Sequence, residues 1–161
     1  MKKEKAVIYV RVASQSQIGD TSMKHQEQSC LTYANSRDLK VMGIWKSPDS
    51  ACDSTTNNSY ETSDKSLQKM LKYISTHKDI KNIIVSSTDR IARNMDDSSI
   101  IRRLAVKGDV SIHFADTQEV LNKNSSADYI FFFGISCIIA EKYSADASRM
   151  THNVLNPEFE L

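Results

Sequence analysis

Two short stretches hold the residues best suited to chemistry. The first, YVRVASQSQ (Tyr9 to Gln17), sets an arginine between two valines at the end of an apolar run, with serines close behind. The second, SSTDRIARN (Ser86 to Asn94), brings Asp89, Arg90 and Arg93 within five residues. A guanidinium is always charged and presents a planar fork of donors matched to phosphate oxygens. In a helical turn Arg90 and Arg93 share a face. Along a strand side chains alternate, so Tyr9 and Arg11 point one way and Ile8, Val10 and Val12 the other. Arg11, near the strand end, then reaches toward Arg90 and Arg93. Three arginines around one point suit a dianionic or pentacovalent phosphate. A plainer alternative pairs Arg11 with a carboxylate such as Asp89 for structure alone, and the two roles are compatible.

The elements that must position these residues alternate along the chain. Ala6 to Val12 and Leu39 to Trp45 are rich in strand-forming residues, as are Asn82 to Ser86 and Val110 to Phe114. Between them Ser22 to Ser36, Ser66 to Thr76 and Asp96 to Lys107 read as helices, the last closed by Gly108. A long helix follows from Ser126 to Met150, with Ser125 or Ser126 as its cap. Ser47 to Thr62 is a polar loop, and the tail from Thr151 to Leu161 is expected to be disordered. Strand and helix alternating four times predict an α/β fold with a mostly parallel central sheet flanked by helices and a long C-terminal helix. In such sheets active groups collect beyond the carboxyl ends of the strands, where both arginine stretches fall. Arg11, Arg90 and Arg93 are therefore expected to converge on one cleft.

Composition narrows the field. The 161 residues suit one domain, here residues 1–150 with a tail at 151–161, and 21 Lys+Arg against 20 Asp+Glu leave a net charge of +1. That balance carries no electrostatic signature of nucleic acid, yet allows a local basic cleft. Cys30, Cys52 and Cys137 are odd in number and far apart, which fits a reducing cytosol. No secretory signal opens the chain, so a cytoplasmic location is expected. The apolar run Tyr129 to Ala140 has 12 residues, with Gly134 and Ser136 inside it, too short to span a bilayer; it reads as a buried or partner-facing helix. A glycine-rich phosphate cradle is missing: between strand one and its helix there is only Gly19, and no lysine followed by Ser or Thr. His25, His77, His113 and His152 lack ligand spacing, and neither metal nor cofactor is expected. Cys137, in apolar company, reads as inert.

In this order, YVRVAS, S22MKHQ26, LTYA, TDRIARN and IIAEK resemble the catalytic domain of the serine site-specific recombinases, the resolvase/invertase and large serine integrase family, over about Lys5 to Met150. The resemblance implies metal-free recombination of double-stranded DNA, as in resolution, inversion or integration of mobile elements. A serine hydroxyl attacks a phosphodiester to give a 5′-phosphoserine link and a free 3′ hydroxyl. Strands are exchanged within a tetramer built from homodimers, then rejoined. The covalent link conserves the phosphodiester energy, and arginines stabilise the transition-state charge. Matched to the family's site residues are Arg11, Arg90, Arg93, Asp89, Tyr9, Gln26 and Glu141, with Asp49 aligned loosely to an aspartate that opens a loop.

Several positions depart from the family pattern. The nucleophile's place, directly after Arg11-Val12, holds Ala13, and the nearest hydroxyl is Ser14, with Ser16 further on. Asp64, beside Lys65, stands where an arginine is usual, and Lys142 replaces an arginine next to Glu141. The loop from Ser47 to Thr62 also lacks the usual glycines. A DNA-binding region normally follows the long helix, and none is recognisable before Leu161, so a downstream domain is expected to be absent. Two functions follow: a recombinase catalytic domain using Ser14, or a catalytically silent relative acting as a DNA-associated dimerisation module.

Overall fold

The apolar run at the start of the chain is buried because it becomes an interior strand. In the computed structural model, which describes residues 2–11, 21–47, 65–92 and 94–155, β1 (Lys5–Arg11) lies between β2 (Lys40–Ser47) and β3 (Ile80–Val85). The sheet has five strands in the order β2-β1-β3-β4-β5, with β4 at Ser111–Phe114 and β5 at Glu119–Leu121. The first four strands are parallel, and β5 runs antiparallel to β4, as the register Ile112↔Leu121 and Phe114↔Glu119 records. The fold is therefore α/β with a mostly parallel sheet, as the alternation of elements predicts.

Strand alternation divides the core in two. Val7 and Tyr9 face one layer with Leu67, Met70 and Ile74 of α2 (Lys65–Thr76), Ile101 and Ala105 of α4 (Met95–Val106), and Phe133 and Cys137 of α5 (Ala127–Leu155). Ala6, Ile8 and Val10 face the other, against Cys30, Tyr33 and Ala34 of α1 (Thr21–Ser36). Leu67, Met70 and Ile74 recur at helical spacing, so one stripe of α2 is removed from water.

Caps set the helix ends. Asn94 caps α4, its Oδ1 accepting the Asp97 N–H at 2.8 Å, and Ser126 caps α5 by accepting the Tyr129 N–H at 3.1 Å. Ser125 is occupied instead, its Oγ accepting from the Asn122 N–H at 3.0 Å. Gly108 follows the C-cap of α4 without a left-handed backbone. Its need for glycine is one of approach: a Cβ there would sit 2.2 Å from the Leu104 carbonyl oxygen.

Three features differ from expectation. α5 runs on to Leu155, so the first part of the expected disordered tail is helical. Residues 151–155, THNVL, contain no Gly or Pro to interrupt the helix. β5 is too short for its periodicity to show, and it follows a turn in which Gln118 has φ 60°. Thr88–Ile91 forms a helical turn of its own, α3. Residues 48–62 of the expected loop, with Asp49, and also Asp64, lie outside the described residues. No helix among the described residues is long and apolar enough to cross a membrane.

Candidate active site at the carboxyl edge of the sheet

With the order β2-β1-β3, the chain leaves β1 toward one side for β2 and returns to the other side for β3. The crevice beyond their carboxyl ends is the switch point at which such sheets bind ligands. Arg11 is the last residue of β1 and is 9% exposed. Pairing of β1 with β3 ends at Ile8↔Ile84, so the main chain of Arg11 needs other partners on that side. Gln26 of α1 supplies them: its Nε2 donates to the Arg11 carbonyl at 2.9 Å, and its Oε1 accepts the Arg11 N–H at 3.4 Å. The same Oε1 accepts from Ser86 Oγ at 3.4 Å. One buried amide thus joins the ends of β1, β3 and α1.

Asp89 organises the arginines. The Arg11 Nη2 donates to the Asp89 carbonyl oxygen. The Asp89 carboxylate accepts from Ser87 Oγ at 2.5 Å and lies 3.6 Å from Arg90 Nε. Arg11 therefore meets Asp89 through its main chain, and the carboxylate serves Ser87 and Arg90. Beside this cluster opens a cleft of about 490 Å³, lined by Ser22, His25 and Gln26 of α1, by Ser86, Ser87 and Arg90, and by Asp116 beyond β4. Asp116 is held there because its N–H donates to the Ser86 carbonyl at 3.0 Å, extending the β3–β4 ladder by main-chain bonding.

Of the residues expected at the site, Arg11, Gln26, Asp89 and Arg90 come together at this edge. Tyr9 shares the face of Arg11 but is a core residue, 1% exposed among the side chains of the α2 layer. Glu141 goes to the start of α4, where its Oε2 accepts the Met95 N–H at 3.0 Å, a favourable position for an anion at a helix N-terminus. Arg93, Ala13, Ser14 and Ser16 lie outside the described residues. The cleft adds Ser22, His25, Ser86, Ser87 and Asp116. Ser86 and Ser87 fall within SSTDRIARN, and Ser22 and His25 within S22MKHQ26, whereas nothing in the local sequence marks Asp116.

A second polar cluster lies under α1, toward the amino ends of the strands. Tyr33 Oη is 3.0 Å from His113 Nδ1, and His113 Nε2 is 2.9 Å from Asn82 Oδ1. Asn82 Nδ2 donates to Glu4 Oε2 at 3.2 Å and to the Lys5 carbonyl at 3.1 Å. Since Asn82 donates with its nitrogen, its oxygen accepts, so His113 carries its proton on Nε2 and accepts from Tyr33 at Nδ1. Burial, with Arg37 nearby, pushes the His113 pKa down to about 4, so the ring is neutral at pH 7. The buried thiols of Cys30 and Cys137 are pushed up to about 12 and about 11, mainly by burial, and remain protonated.

The profile of the family described as "Resolvase, N terminal domain" matches residues 6–156. The chain belongs to this family of serine recombinase catalytic domains. Solved structures resemble this resolvase-family chain in fold. A resolvase family site-specific recombinase from Streptococcus pneumoniae is 18% identical with a TM-score of 0.64, covering 95% of this chain and 97% of that one. The N-terminal catalytic domain of TP901-1 integrase is 17% identical with a TM-score of 0.60, covering 89% of this chain and 98% of its own. The C-terminal catalytic domain of ISC1926 TnpA, an IS607-like serine recombinase, is 23% identical with a TM-score of 0.54, covering 84% and 80%. No curated protein sequence matches the chain.

Proposed function

We propose that this chain is the catalytic domain of a site-specific recombinase acting on double-stranded DNA, cleaving and rejoining strands through a 5′-phosphoserine link. The observation that carries this reading is the joint anchoring of Arg11 and Arg90 by Asp89 at the switch-point cleft. Two pre-positioned guanidiniums lower the cost of charge developing on a phosphate, because the donors need not reorganise as the reaction proceeds. Arg93, three residues after Arg90, adds a third cation in this reading. Asp89 acts as the anchor that orients the arginines, and Gln26 as a positioning residue for Arg11. Glu141 holds the start of α4, just after Arg93-Asn94. Tyr9 supports Arg11 from the core.

The nucleophile is the weak point of this site. Ala13 has no hydroxyl, and Ser14, one step on, points to the opposite face unless the chain turns at once. A displacement of about 1 Å costs on the order of a hundredfold in rate, so cleavage through Ser14 is slow. Ala13 equally favours a second reading, a silent DNA-associated dimerisation module. Both readings use α5. Its Phe131, Phe132, Ile138 and Ile139 are 64%, 62%, 51% and 48% exposed, on the side away from buried Phe133 and Cys137. That stripe suits a second copy of the chain, with pairs of dimers joining for strand exchange. Sedimentation should show a dimer that Phe132→Asp dissociates; a wild-type monomer at high concentration would remove the dimer from both readings.

The deciding experiment traps protein–DNA adducts on a pool of nicked duplexes with a randomised core, using this sequence, Ser14→Ala and Ala13→Ser. We expect little adduct from this sequence, none from Ser14→Ala, and a rise of about a hundredfold with Ala13→Ser. Abundant adduct that survives Ser14→Ala would identify a different nucleophile. No adduct even from Ala13→Ser would favour the silent module.

A further inference from the structure

Phosphoryl transfer from DNA to a hydroxyl needs a proton for the oxygen that leaves. A bond forms between the hydroxyl oxygen and phosphorus while the bond from phosphorus to the 3′ oxygen breaks. The electron pair stays on that 3′ oxygen, and an unprotonated alkoxide is a poor leaving group. The described cleft restricts which side chain can supply the proton. Ser22, Ser86 and Ser87 are too weakly acidic, and Ser86 and Ser87 already donate to Gln26 and Asp89. Gln26 has no proton to give, and Arg90 does not deprotonate in proteins. Asp116 presents a carboxyl group, whose ionised form only accepts hydrogen bonds. Among the described residues that line the cleft, His25 remains. Imidazole is the side chain that both gives and takes a proton near neutrality.

We propose that His25 is the proton donor to the leaving 3′ oxygen, an inference that rests on the phosphoryl-transfer reading above. His25 directly precedes Gln26, whose amide ties α1 to the main chain of Arg11 at 2.9 Å and to Ser86 at 3.4 Å. The imidazole therefore borders the same cleft as Gln26 and Arg90, the placement a proton donor to a phosphate there requires. Its charged surroundings are mixed. Arg90 and Asp89 stand on the β3–α3 side and Asp116 beyond β4, while on α1 itself Lys24 and Glu27 flank it, Glu27 paired with Lys46 at 2.6 Å. In this step His25, which lines the cleft together with Asp116 and Arg90, hands a proton to the leaving 3′ oxygen of a phosphate held by Arg90. The proton of the attacking hydroxyl leaves to water. In the rejoining step His25 takes the proton back from the 3′ hydroxyl.

The test compares two leaving groups. The Ala13→Ser chain, with His25 intact or as His25→Gln, is given a captured duplex whose scissile 3′ bridging atom is oxygen or sulfur. A thiolate leaves without protonation, so loss of the acid matters only for oxygen. Cleavage of the oxygen duplex should slow about a hundredfold in His25→Gln, while the sulfur duplex changes by less than about twofold. His25 is exposed, so the variant should fold, and an unchanged thermal midpoint checks this. Equal slowing on both duplexes, or none on oxygen, overturns the proton-donor role and leaves the recombinase reading intact. If Ala13→Ser with His25 intact forms no adduct on either duplex, the recombinase reading falls, and this inference with it.

Discussion

The two ends of the sheet hold polar clusters built on opposite plans. Under α1, Tyr33, His113, Asn82 and Glu4 form a chain in which each donor meets an acceptor. At the carboxyl edge, Gln26 and Asp89 satisfy main-chain groups and orient arginines, and the cluster opens onto a cleft of about 490 Å³. A polar group taken from water must be bonded in either case. A closed chain uses that bonding to specify packing. An open cluster uses it to fix Arg11 and Arg90 beside a cleft. Burial of a titratable residue therefore says little about function until its partners are counted: buried His113 is structural, and exposed His25 faces the cleft.

Three perturbations sharpen this contrast. The largest effect should come from Arg90→Ala. In the Ala13→Ser background adduct formation should fall about a thousandfold, because a donor aimed at developing charge is lost. The thermal midpoint should shift little, since the ion pair of Arg90 with Asp89 is partly exposed. A large fall in stability would mean that the open cluster is structural after all.

His113→Leu should do the opposite. It leaves Asn82 Oδ1 and Tyr33 Oη without their buried partner and should cost about 3 kcal/mol in chemical denaturation, with no change in cleavage per folded molecule. The acid dependence follows from the same ring. Its folded pKa of about 4 lies below the ordinary value of 6.5, so between these pH values the unfolded chain binds a proton that the folded chain refuses. Stability from this group is complete above pH 6.5 and falls as the pH drops toward 4, by on the order of 3 kcal/mol at most. Denaturation midpoints across that window should slope in the wild type and flatten in His113→Leu.

Gln26→Ala lies between these extremes on both measures. Removing bonds to Arg11 and Ser86 should cost about 1–2 kcal/mol of stability and about tenfold in adduct formation, through a loosened Arg11. Loss of stability with unchanged chemistry would assign Gln26 to packing alone.

Much of this arrangement was legible along the chain. The β-branched run before Arg11 marked a buried strand, and the spacing of Leu67, Met70 and Ile74 marked a helix with one buried stripe. The alternation of elements implied a parallel sheet, and the ordered motifs implied the family. Period-2 alternation correctly put Tyr9 and Arg11 on one face, but it could not say that Tyr9 would end in the core. Resemblance singled out Glu141 as a candidate site residue, and in the fold its partner is a main-chain N–H at the start of α4, which no spacing in α5 reveals.

By itself, then, the sequence determined what depends on local periodicity and residue type: the first four strands and the longer helices, the apolar arc of α5, the arginines fit for phosphate, and the missing hydroxyl at Ala13. Tertiary structure decided what depends on strand order and on which ends meet. It brought Asp116 beside Ser86 through the β3–β4 ladder and made the Asp89 carbonyl, more than its carboxylate, the partner of Arg11. It also sealed His113 into a neutral chain while leaving His25 at the cleft. The physical reason is that hydrogen-bond partners and solvent exposure are properties of neighbours in space, and such neighbours can lie far apart along the chain, as Ser29 and Asp116 do at a separation of 87 residues.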